Sequence, residues 1–531
     1  MRAQSVGQFS AIILALALLF LLTGPAAAEE DEDEDEGSGL SLDDILAGST
    51  SGGDDSGGIT SSFAQGHGDF EGNVQSKFAV DVQKDNDMED LLDWRSLVYG
   101  RGYFKFNRNF YASVSGLFDY SLAYSDETST EHEIRLYEGY MDIVSNWGQV
   151  RAGQQLVTWG RADLINPTSV INPPDLRKPL DLDLGYDNIP VLAVKGDLFR
   201  GPVRFESVYV PFFVPAKFKI IGSDWAALKH EFPLGDALDY LDEQINLPEW
   251  QELLDLLYPP WKDELQDFLN DETLITDNID EPEDDFQNGE GGARLSLSFT
   301  RFDCSVMYAY TWDDVPTLYL NPELEKLLEY LKDPRNSGID ISKIDVSKLD
   351  PPLRGLYHRI HTIGADFSTT FKGVGFVVEG AATIGRRTYN LDLEPEQASY
   401  LQYVVQVDHL FSGEFYLGGS WIQAIQLDYH PDRLTEQYMN LLAVVLRKPW
   451  MDDKIETAFL GFADFTMLEN EELEEGDFSS IGAILNPYVS FSLTEDLRLN
   501  VGATLLLGGE EAIEDYYKEN SQAFVAVKYS F

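Results

Sequence analysis

The chain has 531 residues, with 38 Lys and Arg against 92 Asp and Glu, and a formal net charge of −54. So acidic a surface repels nucleic acid, whose binders need basic patches. The single cysteine, Cys304, excludes an intramolecular disulfide and any cysteine-based metal cluster, and its apolar setting makes it a small buried or lipid-facing residue.

The first element is an export signal. Arg2 supplies a short positive region, and Ala11 to Leu22 is almost wholly apolar. Thr23, Gly24 and Pro25 break the helix before Ala26-Ala27-Ala28, a small-x-small cleavage site. An apolar core of about a dozen residues is shorter than the ~20 that a helix needs to span a bilayer. Residues 1–28 are therefore expected to be a signal peptide, cleaved after Ala28. Glu29 to Glu36 is an unbroken acidic run, followed by a Gly/Ser/Asp-rich stretch. With too few apolar groups to build a core, 29–70 is predicted to be a disordered tail. The run lacks the Gly turn and spaced ligands of a calcium loop, so no metal or other cofactor is expected.

The remaining 71–531 has a different texture. No stretch is long and apolar enough for a spanning helix, yet 26 Tyr, 31 Phe and 43 Gly suit strands. From about Ser76, runs with a period of two recur. In the clearest, Phe110, Ala112, Val114, Gly116, Phe118, Tyr120, Leu122 and Tyr124 form one face. Tyr111, Ser113, Ser115, Leu117, Asp119, Ser121 and Ala123 form the other. Such a strand puts an apolar stripe on lipid and a polar stripe on water. It is long for a globular strand, usually ~5–6 residues, and suits a tilted membrane strand.

Connections alternate in length. Short ones fall near Asn107-Arg108, Ser145 to Gly148, Gly201-Pro202, Arg301, Gly373, Gly413, Pro449 to Asp453 and Thr494. Long ones fall near 84–99, 125–130, 159–189, 213–291, 313–356, 387–399, 429–436, 467–479 and 509–521. This sorting predicts an all-β fold, a transmembrane antiparallel β-barrel of about 18 strands, with 16 as the alternative. Short turns and both chain ends lie in the periplasm; long, acidic loops lie outside. Some loop helix is expected: Leu253, Leu256, Leu257 and Trp261, then Leu265, Phe268 and Leu269, and Pro322 to Leu331 carry amphipathic spacing. The chain closes on Ala523, Val525, Val527, Tyr529 and Phe531 in alternation. Tyr529 and the terminal Phe531 resemble the signal read by the outer-membrane assembly machinery, a partner this implies.

One loop stands apart. Val150 to Pro179 reads VRAGQQLVTWGRADLINPTSVINPPDLRKP. The pairs Asn166-Pro167 and Asn172-Pro173 impose extended or turn geometry and remove backbone donors. Arg151, Trp159, Arg161, Asp163, Asp175 and Arg177 add charge and a large aromatic ring. The stretch from Arg151 to Arg177 resembles a family of large bacterial outer-membrane barrels catalogued as a domain of unknown function. Its members carry an Arg-x-Gly-Arg-Gln strand, then Trp-Gly, then Ile-Asn-Pro with a following Asp. Gln154 stands here where the family has Arg. The chain also resembles, more loosely, alginate-export barrels. The resemblance implies passage of a molecule across the outer membrane, a hydrophobic one included, with periplasmic or inner-membrane transport partners.

From the residues themselves, the loop at about 159–179 is long enough to turn inward, since extended chain covers about 3.3 Å per residue. Arg161 and Arg177 then need carboxylates, with Glu133, Glu138 and Asp142 as candidates. The two readings are a pore constriction and a wall-packed structural loop. An enzyme is not expected: there is no GxSxG, P-loop or HExxH run, and His358 and His361 point to opposite faces. The function read here is an outer-membrane channel or transporter for a small or hydrophobic solute. The alternative is a structural or adhesive barrel whose acidic loops bind divalent cations or surface polysaccharide.

Overall fold

The computed structural model describes residues 67–82, 92–124, 128–177, 186–219, 278–323, 326, 353–390, 394–466, 482–508 and 520–531. The strands run in chain order as β1 (His67–Asp81), β2 (Leu92–Asn107), β3 (Phe110–Tyr124), β4 (Thr128–Ser145), β5 (Gly148–Gln155), β6 (Val191–Arg200) and β7 (Val203–Val210). After the two-residue β8 (Ile279–Asp280) come β9 (Glu290–Phe299), β10 (Phe302–Trp312), β11 (Thr317–Leu320), β12 (Leu353–Leu356), β13 (Arg359–Phe371) and β14 (Val374–Tyr389). The series ends with β15 (Pro395–Phe411), β16 (Phe415–Gln426), β17 (Tyr438–Trp450), β18 (Ile455–Asp464), β19 (Gly482–Ser492), β20 (Leu497–Leu507) and β21 (Gln522–Ser530).

Eighteen of these form one closed sheet; β8, β11 and β12 form a separate small one. Each barrel strand pairs antiparallel with the next, and β21 returns to pair with β1, Ser530 opposite Asn73 and Gln522 opposite Asp81. Closure leaves no free edge, which is what hydrocarbon demands of a sheet. The count agrees with the larger expected number. Both described chain ends lie at the end of the barrel that carries the short turns. The first strand starts at His67, ahead of the boundary at 70, and the expected 84–99 connection is shorter, because Leu92 to Tyr99 already belongs to β2. Pro322, Glu323 and Lys326 are helical. The rest of that helix, the pair between Leu253 and Leu269, the signal and most of the tail lie outside the described residues.

Register explains the two surfaces. Val194, Val306, Ile363 and Val378 are exposed, whereas Ala193, Met307, Thr362 and Glu379, one residue away, are buried. Strand side chains alternate, so the exposed set is the outer wall and the buried set the inner wall. Exposed aromatics flank the short turns: Phe106, Trp147, Phe199, Phe302, Phe371, Phe411 and Trp450. A second row lies toward the long loops, with Phe78 stacked on Trp94 and Trp94 edge-on to Tyr120. Along β10, Phe302 and Tyr310 mark the two rows. At ~3.3 Å per residue they lie about 26 Å apart along a strand tilted by ~40°, which makes the apolar band between them about 20 Å tall, close to the ~25 Å of outer-membrane barrels. Cys304 stands half-buried on this face, in step with Val306 and Tyr308. The molecule is an outer-membrane-type β-barrel.

Candidate functional site

The connection after β5 lies inside the barrel, and its base is tied first. Val157 N donates to Asn172 Oδ1 at 2.6 Å, and Asn172 Nδ2 donates to Ile189 O at 2.9 Å. Pro173 has no N–H, but its carbonyl accepts from Ile189 N at 2.8 Å. Three stretches of the connection are thereby fastened around one amide side chain. Above this base, Val157, Trp159 and Ile171 pack on inward Val191, Ala193, Val208, Val210, Met307 and Ala309. Trp159 is fully buried, and its indole N–H donates to Glu206. Gly292 leaves the space for that ring, since a Cβ there would come within 2.6 Å of it.

The loop then follows the inner wall. Arg161 Nε donates to Asp366 Oδ1 at 2.9 Å, and its Nη1 lies 3.9 Å from Asp303. Asp366 also receives Arg294 Nη2 at 3.2 Å and the Ser305 hydroxyl. Asp163 and Gln406 bond each other in both directions. Ala162, Leu164 and Ile165 meet an apolar stretch of wall that includes Ile422, Leu441, Ala443 and Val445. Asn166 Oδ1 accepts from Ser169 N at 3.2 Å, closing the tip around Pro167. Gly160 sits at φ 93° with no space for a side chain between Asn166 and Glu379, so the turn requires glycine.

The returning arm carries the second charged group. Arg177 donates to Asp175 at 2.8 and 2.6 Å and to Glu133 at 3.1 Å. Arg135 lies 3.7 Å from Asp175, and Lys217 Nζ donates to Glu133 at 2.7 Å. Burial pushes the Asp175 carboxyl up, but the Arg177 hydrogen bond and charge, with Arg135 and Arg95, outweigh it and hold the group below its ordinary value. A carboxylate with a depressed folded pKa stabilises the fold at and above the ordinary carboxylate range, and that contribution disappears as pH falls through the lowered value. Slow hydrogen exchange over residues 171–177 should therefore persist to mildly acidic pH and be lost only in stronger acid. Loss already at pH 6 would contradict this.

Partner choice differs in part from expectation. Arg177 reaches Glu133 as expected, but Glu138 instead accepts from Leu156 N at 2.9 Å. Asp142 takes Arg151 at 2.9 and 3.0 Å, with that guanidinium over the Tyr140 ring. Arg161 goes to β13, since the loop leaves β4 behind before residue 161. Gln154 donates to Leu136 O and Tyr137 O from the outer-wall register, away from the other members of the motif. Tyr529 and Phe531 lie at the β21–β1 seam, far along the chain from the loop. Sequence reasoning missed Glu206, Asp366, Glu379 and Gln406. The available signal was a single carboxylate or amide at an inward position among small or apolar neighbours, as in Val377-Val378-Glu379-Gly380-Ala381.

No family model and no curated protein sequence matches the chain. Among solved structures it is similar to OccAB3 of Acinetobacter baumannii, at 8% identity over 87% of this chain and 99% of that one, with a TM-score of 0.44. It is also similar to OccK5 (OpdH) of Pseudomonas aeruginosa, at 6% identity over 87% and 98%, TM-score 0.43. A third is Salmonella typhi OmpF in complex with daunomycin, at 8% identity over 87% and 97%, TM-score 0.37. No residue of this chain takes its role from them.

Proposed function

We propose that the protein is an outer-membrane channel that passes a small or hydrophobic solute, with the 156–177 loop narrowing the bore. The observation that supports this reading is the loop's place on the inner wall. It bonds in turn to inward residues of β7, β13, β14 and β15 and is packed against β16 and β17. A loop inside a barrel takes up lumen, and charges of both signs on it shape the field a solute meets. Terminal Phe531 is read as the assembly signal, and periplasmic or inner-membrane partners belong to the same proposal.

Single-channel conductance in planar bilayers tests the reading. Replacing residues 159–171 with a short Gly/Ser link should raise conductance several-fold if the loop narrows the bore. A parent barrel that never conducts would sink the channel reading. The current should also favour cations, because the acidic long loops expected at the mouth concentrate them and repel anions. With a screening length of about 10 Å at 0.1 M salt, the preference should shrink at higher salt. Anion selectivity at low salt would contradict it.

A further inference from the structure

We infer that Glu379 is the positioning residue that holds the 156–177 loop on the wall and so sets the bore. The inference rests on the channel reading for its effect on conductance, but not for its effect on the loop. Glu379 lies midway along β14 on the inner wall, paired across to Asp366 and Val404, and is fully buried. One carboxylate oxygen accepts from Arg161 N at 2.7 Å and Ala162 N at 3.1 Å. The other accepts from Thr168 N and Thr168 Oγ1, both at 2.9 Å. The loop's two arms, six residues apart in sequence, therefore close on one side chain.

No ion pair to Glu379 is present among the described residues; the nearby guanidinium of Arg161 goes to Asp366 instead. A buried carboxylate without a cation is costly unless hydrogen bonds satisfy both oxygens. Here only the docked loop supplies those donors. The dependence runs both ways, because the loop's N–H groups at 161, 162 and 168 have no strand partner in that position. Gly160 makes the geometry possible: a Cβ there would sit 2.5 Å from the carboxylate. The strand pairing of β14 uses backbone groups alone, so the barrel wall closes without this side chain. Glu379 thus acts on the loop, through the loop on the lumen, and not on the wall.

The test uses the full-length barrel with Cys304→Ser and a reporter cysteine, Ala162→Cys, whose position is only 2% exposed when the loop is docked. Glu379→Ala should raise the labelling rate of that cysteine by a water-soluble maleimide about tenfold or more, since even one lost hydrogen bond to a charged group is worth ~1.5 kcal/mol. Heat-modifiable migration should stay that of the parent, and conductance should rise. Glu379→Gln keeps one acceptor oxygen and should fall between the two. Unchanged labelling in Glu379→Ala overturns the inference, as does loss of the folded barrel in both variants. Faster labelling with unchanged conductance would uphold the latch on the loop and defeat the narrowing role, which separates the two claims.

Discussion

Removing Phe531, or filling the space at Gly72, is expected to abolish closure of the barrel. Phe531 extends the last strand pairing by two backbone bonds: its N–H donates to Gly72 O at 2.9 Å, and Gly72 N–H donates to its carbonyl at 2.8 Å. Its ring lies 5.9 Å from that of Phe70 and over Gly72, where a Cβ would meet Phe531 Cζ at 2.8 Å and Tyr99 O at 2.5 Å. A valine at 72 must therefore displace the terminal ring and push against the β2 backbone. An open seam leaves the edges of β1 and β21 unpaired in lipid, at several kcal/mol for each unsatisfied group. Gly72→Val and the Phe531 deletion should both lose the heat-modifiable folded band. Gly196→Ala is the control, since its new methyl meets only Ser207 Oγ, at an ordinary 3.6 Å. Parent-like migration of both seam variants would mean that the seam closes without this contact.

Asp366→Ala should destabilise the barrel far more than Arg161→Ala, although the two side chains are bonded to each other. Asp366 has a side chain only 1% exposed and anchors two arginines, Arg161 and Arg294. Its removal takes the shared carboxylate from Arg294 and leaves Arg161 only the more distant Asp303, and breaking a buried pair in this way costs about 3–5 kcal/mol. Removal of Arg161 leaves Asp366 with Arg294 and Ser305, so the cost should be about 1 kcal/mol. The double variant should recover part of the Asp366→Ala loss, because one of the two cations that shared the carboxylate is gone. Urea unfolding in detergent micelles measures all three. Equal losses for the two single variants would show that Arg294 does not share the carboxylate.

Much of the wall was legible in residue order alone. The Phe110 to Tyr124 alternation needs nothing but the two-residue period of a strand, and its Ser113, Ser115 and Leu117 are buried on the inside as that period requires. Strand number and the side on which the ends lie followed from loop lengths, because a short turn can join only adjacent antiparallel strands. The distinctness of the 150–179 stretch was also readable, since Asn-Pro pairs and a Trp-Gly step restrict the backbone wherever they occur.

What residue order could not decide was which groups the loop would meet. Arg161 and Asp366 are 205 positions apart, and Ala162 and Glu379 are 217 apart. Their meeting depends on how far the chain travels round the inner wall before it turns back, and local periodicity carries no such information. Nearby carboxylates on β4 were the natural guess for both arginines, and proximity in sequence served only Arg177. The selection is made by the closed sheet, which brings β13 to β15 round to the loop's tip. Once there, an inward carboxylate and a loop N–H have no water to turn to, so each buried group takes the partner that closure has placed within reach.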